Sequence, residues 1–214
     1  MTLTSVPRIK AVIISEADGQ RSRENIVVTQ TGTALASGTV LTKIDTGAAT
    51  AAATAGNTGN PTFGAITAGV AAVPGAYKLT FTAATKFDVE DPDGIKIGTG
   101  TTGVAFSKSG LGFTLTAGGT AAVAGDEFTV TVAAGSGKYV AYTANGAAGQ
   151  ADAVLYNWLP ALTGDAKAVA FVRHAELNRF ELTGLDAAAQ ADLTRTGLIV
   201  RGAAGVPSIS TPAL

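Results

Sequence analysis

Hydrophobic and polar residues alternate most regularly in the middle of the chain. In "AYKLTFTA", Tyr77, Leu79 and Phe81 fall on one face of an extended strand, with Lys78, Thr80 and Thr82 on the other. "KFDVED" sets Phe87 with Val89, "GFTLTAGG" sets Phe113 with Leu115, and "DEFTVTV" aligns Phe128, Val130 and Val132. A period of two predicts strands with one buried and one solvated face. Turn formers separate them: Asp91-Pro92-Asp93-Gly94, Ser109-Gly110, Gly118-Gly119 and Gly125-Asp126. Residues 63–132 are therefore expected to form an antiparallel β module. Its core would draw on Phe63, Phe81, Phe87, Phe106, Phe113 and Phe128, six of the eight Phe in the chain.

The flanks are patterned less evenly. "RIKAVIIS" reads as a strand or an extended arm. Pro7 and the polar "MTLTS" ahead of it point to an N-terminal arm, residues 1–20, whose beginning is mobile when unbound. "ENIVVTQ" and "SGTVLTKI" read as short strands. Residues 45–62 are low-complexity Ala, Thr, Gly and Asn. They hold no large apolar residue until Phe63, and residues 51–62 are expected to be a linker. After the module, "AVLYNWLPAL" predicts a buried strand carrying Trp158, and "KAVAFVRHAEL" opens as another continuous apolar strand. "DAAAQADLTRTG" predicts a helix capped by Asp186 and stopped at Gly197. "LIVR" is a last strand, and residues 203–214 read as a flexible tail. The expected fold class is mainly β with a minor α contribution. A small mixed-β core, residues 21–50 and 133–202 with one short C-terminal helix, carries the inserted antiparallel β module.

Composition narrows the function. The chain has 214 residues, 46% hydrophobic but only 6% aromatic, with 27 Gly and 14% charged residues. That is enough apolar surface for a core and is unlike a disordered chain. The net charge is −1 with no run of basic residues, which argues against direct nucleic-acid binding. No Cys is present, which removes disulfides, thiol nucleophiles and Cys-based metal sites, and one His removes His-rich metal sites. No stretch reaches the roughly 20 apolar residues of a membrane span. The start of the chain lacks a signal-peptide pattern, so synthesis and retention in the cytoplasm, or exit without a classical signal, are expected. A surface poor in charge favours burial between subunits.

Several motifs invite a chemical reading. "GTGTTG" (Gly98, Gly100, Gly103) fits a dinucleotide fingerprint, but no helix follows it, and a hairpin tip is the plain reading. "DVEDPDG" resembles a calcium loop, which needs oxygen ligands at alternate positions ahead of its Gly. Counting back from Gly94 gives Asp93, Asp91 and then Val89, so a turn is the better reading. "GSGKY" lacks the upstream Gly of a P-loop, since Val132 stands there. Asp126 and Glu127 are neighbours on an expected strand and point apart. His174, in "FVRHAELNRFEL", would share a strand face with Glu176 and oppose Arg173. A general base needs partners that this spacing does not supply. No catalytic residue, metal site or cofactor is expected, and the chain reads as a non-enzyme.

The C-terminal third, "GDAKAVAFVRHAELNRFELTGLDAAAQADLTRTGLIVR", resembles the head decoration proteins of tailed bacteriophages, typified by the head-stabilising protein of phage lambda. The shared pattern is an apolar strand, then Arg173, Ala175, Glu176, Leu177 and Asn178, an Ala-rich helix, and Gly197 to Arg201. "SRENIVV" and "ASGTVLTKI" resemble the opening elements of that family, with Thr42 in place of its usual Gly. "GSGKYVAYTANGAAGQADAVLYN" resembles its middle strands. The likeness covers residues 20–44 and 133–202, and the β module resembles an insertion of longer members. The resemblance implies a virion protein, made in the host cytoplasm, that sits on the capsid exterior as a homotrimer at three-fold sites and clamps the major capsid protein. It implies an N-terminal arm that adds a strand to a capsid edge and can be deleted (residues 1–20) without loss of folding. Val6, Pro7, Arg8, Ile9, Val12 and Ile14 are then candidates for capsid contact. Trp158, Arg173, His174, Glu176 and Arg201 are candidates for the trimer interface or core. The alternative is that the module binds host glycans or another cell-surface feature, although one Tyr and no Trp make a poor sugar platform.

Overall fold

The computed structural model describes residues 12–17, 21–143 and 149–202. It divides into two compact units, Met1–Lys43 with Lys138–Leu214, and Ile44–Gly137. The protein is mainly β, with one α-helix among the described residues.

The discontinuous unit begins with β1 (Ile13–Glu16), β2 (Arg23–Thr31) and β3 (Val40–Lys43). In β2, Ile26, Val28 and Gln30 alternate inward, as period two requires. The chain returns as β13 (Tyr139–Ala141), β14 (Ala153–Leu155) and β15 (Thr163–Phe171). These close a barrel with β2 and β3 in the order β13-β2-β15-β14-β3. Its longest seam pairs β2 with β15 from Thr31↔Thr163 to Arg23↔Phe171. Ala153, Ala168 and Ala170 face Leu41, Leu155 and Ile26 in the barrel core, where small side chains suit a narrow interior.

β3 and β14 are buried on both faces. Leu41 and Leu155 point into the barrel, and Val40 and Val154 point to a second core. That two-sided burial explains the continuous apolar run in "AVL". The second core is closed by β16 (Ala175–Asn178), β17 (Leu198–Arg201) and the helix α1 (Ala187–Arg195). β1, β16 and β17 form a three-stranded sheet, antiparallel and then parallel. α1 starts where expected: the Asp186 carboxylate accepts the Ala189 N–H at 2.7 Å, and Gly197 follows the helix at φ +83°.

Three expectations change here. Part of the supposed arm is core: β1 pairs with β16, and Val12 is fully buried among Phe171, Leu177 and Leu193. "AVLYNWLPAL" is a strand only as far as Leu155. The Asn157 side-chain oxygen then accepts the Val169 N–H at 2.8 Å, Leu159 turns inward, and Trp158 turns out. "AVAFVRHAEL" is not one strand either. β15 stops at Phe171, and His174 sits in a bend with φ +50°, a left-handed conformation uncommon for a residue bearing Cβ.

The second unit begins with β4 (Thr46–Ala53), which takes residues 46–50 expected in the core and 51–53 expected in the linker. β4 pairs antiparallel with β12 (Glu127–Ala134) from Thr46↔Ala134 to Ala53↔Phe128. Small Ala and Thr side chains contribute little burial, so main-chain pairing to β12 makes this strand. β12 also pairs with β7 (Gly75–Ala83), followed by β8 (Lys86–Glu90) and β9 (Lys96–Thr101). A second sheet joins β10 (Ala105–Lys108), β11 (Leu111–Thr116) and the short β5 (Thr62–Phe63) and β6 (Thr67–Ala68). Tyr77, Leu79, Phe81, Phe87, Phe106, Phe113, Phe128 and Val130 fill the space between the sheets. Ring centroids lie 5.0 Å apart for Phe106–Phe113 and 5.3 Å for Phe63–Phe113. Gly98 and Gly100 lie in β9, and a Cβ on Gly100 would stand 2.2 Å from the Phe87 ring. "GTGTTG" is thus strand and turn, its glycine at position 100 set by close aromatic packing.

Candidate functional site

Several charged residues of the discontinuous unit meet near one set of strand ends. Ser22, Arg23 and Glu24 enter β2 there, β15 leaves at Phe171, and β1 ends at Glu16. Fully buried Ser22 donates its hydroxyl to the Glu16 carboxylate at 2.7 Å. Arg23 donates Nε to the same oxygen at 2.9 Å and Nη2 to the other, so the guanidinium grips the carboxylate with both arms. The guanidinium carbon lies 4.3 Å from the Tyr156 ring centroid, a cation–π arrangement. Its hydrogen bond to Arg23 holds the Glu16 carboxyl below the usual range against the opposing effect of partial burial, and Ser22 adds to it; the same bond raises Arg23.

Glu24 forms an ion pair with Arg173, beyond the end of β15. Across the three-stranded sheet, Glu176 of β16 accepts the Ser15 hydroxyl at 2.9 Å from β1. It also accepts Arg201 Nε at 3.0 Å from β17. The Arg201 hydrogen bond, then that of Ser15, lowers the Glu176 carboxyl from its ordinary value. Ala175 and Leu177 between them point into the core, and the Asn178 side chain accepts the Phe180 N–H at 3.2 Å. The residues that carry the sequence resemblance therefore knit β1, β2, β16 and β17 together.

His174 and Glu176 both line a concavity of about 420 Å³ with Ser15, Glu16, Ala17, Gly197 and Ile199. The expected same-face strand pair is replaced by a bend. The His174 carbonyl accepts the Ala17 N–H at 3.0 Å, and its ring passes close to Gly197. No group of three or more His, Asp or Glu able to hold a metal ion occurs among the described residues.

Of the capsid-contact candidates, Val6, Pro7, Arg8 and Ile9 lie outside the described residues. Val12 is core, which corrects its expected role. Ile14 is the extra residue of a bulge between Ile13 and Ser15 and is 53% exposed. Of the core or trimer candidates, Arg173, His174, Glu176 and Arg201 come together around the strand ends and sheet just described, and Trp158 stands apart, 44% exposed. Sequence reasoning missed Glu16, which it placed in an arm. Its signal was the buried partner six residues on, in the Ser22-Arg23 pair.

The second unit holds no comparable cluster. Asp126 is not on a strand with Glu127. It is buried, and its carboxylate accepts the N–H groups of Thr58 (2.9 Å), Gly59 (2.8 Å) and Val123 (3.0 Å). In "DVEDPDG", Asp91 caps its own turn by accepting the Asp93 and Ile95 N–H groups, and Asp88 pairs with Lys96. A groove of about 520 Å³ between β4 and β5, floored by Phe63 and Phe128, is lined without any titratable group. Tyr77, the one Tyr of the module, is buried, and no aromatic ring is among the large exposed hydrophobics of this unit. No described helix is long and apolar enough to cross a membrane.

Comparison with known proteins gives three findings. The family model "Bacteriophage lambda head decoration protein D" matches residues 107–205, just under half of the chain. No curated protein matches the chain. Solved structures that share partial likeness include flagellar proteins. FlgL from Xanthomonas campestris is 24% identical over 46% of this chain and 33% of its own, with a TM-score of 0.34. FlgK from Burkholderia pseudomallei is 27% identical over 56% and 21%, at 0.33, and FlgL from Legionella pneumophila is 18% identical over 45% and 37%, at 0.34. The chain thus spans well under half the length of these flagellar proteins, and at such TM-scores the likeness assigns no fold.

Proposed function

We propose, from the match of residues 107–205 to the bacteriophage lambda head decoration family model, that this chain is a virion structural protein that binds the outside of a phage head and stabilises it. In this reading three copies sit at each three-fold site and clamp neighbouring major capsid subunits. The supporting observation is the charged network around Ser22, Arg23, Glu24, Arg173, Glu176 and Arg201. These family-like positions join neighbouring strands, which supports reading them as parts of a rigid scaffold. An arm ahead of Val12 would add a strand to a capsid edge through main-chain bonds, which demand little side-chain chemistry. Three arms per assembly raise the effective concentration of each weak contact.

The burial of Val12 fixes the test. Deleting residues 1–20 would remove β1 and a core side chain, so the arm is tested by deleting residues 1–11. Co-sedimentation with expanded, undecorated capsids should be strong for the full chain and weak for the truncated one, with unchanged circular dichroism. Full-strength pelleting of the truncated chain would remove the arm from the mechanism. Failure of the full chain to pellet would remove the decoration role.

A further inference from the structure

The larger sheet of the second unit runs β4-β12-β7-β8-β9, so β4 and β9 are its edges. They are finished differently. β9 opens on Lys96, which pairs with Asp88, and its register with β8 shifts between Val89 and Glu90. Charge and irregularity of this kind keep an edge from pairing with another chain. From Ala49 to Ala53, β4 has no charge and no Pro, and its register with β12 is unbroken from Ala49↔Val132 to Ala53↔Phe128. The Thr54 N–H donates to the Glu127 carbonyl at 3.0 Å. Antiparallel pairs alternate, so Ala52 and Thr50 also bond to β12, and the N–H and C=O groups of Ala49, Ala51 and Ala53 point to the open side. Among the described residues β4 pairs with β12 alone, and Thr50, Ala51, Ala52 and Ala53 are all exposed.

The side chains of Ala49, Ala51 and Ala53 share the face of Val132, Val130 and Phe128, which belong to the core. On β7 the inward positions hold Tyr77, Leu79 and Phe81. Three methyl groups in place of such side chains leave the seam of the sandwich underfilled. The groove of about 520 Å³ lies there, with Phe63, Ile66 and Phe128 in its lining. It runs beside the row of open main-chain donors and acceptors. We propose that this edge takes up an extended segment of a partner protein as an added strand. Charge complementarity fixes the occupant. Donors and acceptors that alternate along an edge are matched by another main chain in the extended conformation. The groove is lined without a titratable group, so a charged side chain would lose its water there without gaining a partner. The segment is therefore uncharged and places an apolar side chain in the groove at every second position, as a strand does. Nothing in the site depends on capsid binding.

The probe is a synthetic peptide, capped at both ends, with the β12 sequence from Phe128 to Ala134, in which Phe128, Val130 and Val132 already alternate to suit β4. It is added to the full chain, and main-chain amide exchange is followed residue by residue by nuclear magnetic resonance. The N–H groups of Ala49, Ala51 and Ala53 should become protected, while those of Thr50 and Ala52, already bonded to β12, should not change. Ala51→Pro removes one open donor without removing a bond to β12, and Ala53→Asp puts a charge in the groove. Each should weaken peptide binding by about tenfold or more. Circular dichroism checks that both variants fold, and Ala53→Asp decides alone if the proline disturbs β4. No protection up to the limit of peptide solubility overturns the proposal, and so does binding that Ala53→Asp leaves intact. Protection that rises with protein concentration in the absence of peptide assigns the edge to a second copy and overturns the partner reading.

Discussion

The two units solve the same problem with different materials. The sandwich of residues 44–137 packs six Phe rings between its sheets, closes loops with Asp91 and Asp126, and carries exposed cross-strand pairs such as Lys78–Glu127 and Lys96–Asp88. The barrel unit has one buried Phe, at position 171, and fills its cores mostly with Ala, Val and Leu beside Tyr139 and Tyr142. It adds bonds between strand ends through Glu16, Arg23, Glu24, Arg173, Glu176 and Arg201. The contrast teaches where each unit is vulnerable. A sandwich held by interlocking rings fails when one ring is lost. A barrel with a thin interior depends more on its cross-strand polar joints.

The largest effect that would test this contrast is expected from Phe113→Ala. Phe113 contacts the rings of Phe63, Phe87 and Phe106, and its loss should cost the sandwich about 3–5 kcal/mol. Trp158 lies in the barrel unit, so denaturation followed by Trp emission should move less than denaturation followed by far-ultraviolet circular dichroism. Coincident shifts in both signals would show that the two units unfold as one. Gly100→Ala comes next: its methyl must displace the Phe87 ring, at a cost of about 1–3 kcal/mol, seen again in the dichroism signal.

In the barrel unit the matching change is Arg23→Ala. It strips Glu16 of its bidentate partner and Tyr156 of its cation, and should cost about 1–2 kcal/mol, now visible in the Trp signal. Arg23→Lys should recover only part of that, because a single ammonium cannot make both bonds. A null result for Arg23→Ala would mean that the barrel rests on its aliphatic core alone.

Much of the sandwich was legible in the sequence because Tyr77, Leu79, Phe81 and their counterparts alternate in strict period and are large. β4 was not legible, since "TGAATAAA" has no apolar bulk and becomes a strand only by pairing with β12. Trp158 misled for the opposite reason. Its size argued for burial, but period two past Leu155 and the hold of Asn157 on β15 turn it outward. His174 reads as strand in the pattern, but a local left-handed φ breaks the strand there. The helix at Asp186 was readable because its cap and stop are local signals. The Glu16–Arg23 joint was partly hidden, because its partners are brought together by the pairing of β1 with β16.

The smallest effect concerns acid. In the sandwich, Asp126 closes the loop before β5 by accepting three main-chain N–H groups, chief among them that of Thr58. These bonds favour the charged carboxylate and lower it from its ordinary value of 3.8, against the opposing effect of desolvation. A group depressed in the folded state contributes stability that is complete above its unfolded value and is lost as pH falls through the folded one. The sandwich should therefore loosen below about pH 4, where unfolded aspartates begin to take up protons. Asp126→Asn replaces a charged acceptor with an amide that cannot titrate. It should lower the dichroism midpoint at neutral pH and flatten its fall in acid. The barrel contains lowered carboxylates of its own in Glu16, Asp165 and Glu176, so its Trp signal should keep its acid dependence in that variant. An unchanged acid slope in the dichroism of Asp126→Asn would place the acid sensitivity of the sandwich elsewhere, with Asp88, lowered by Lys96, as the next carboxylate to replace.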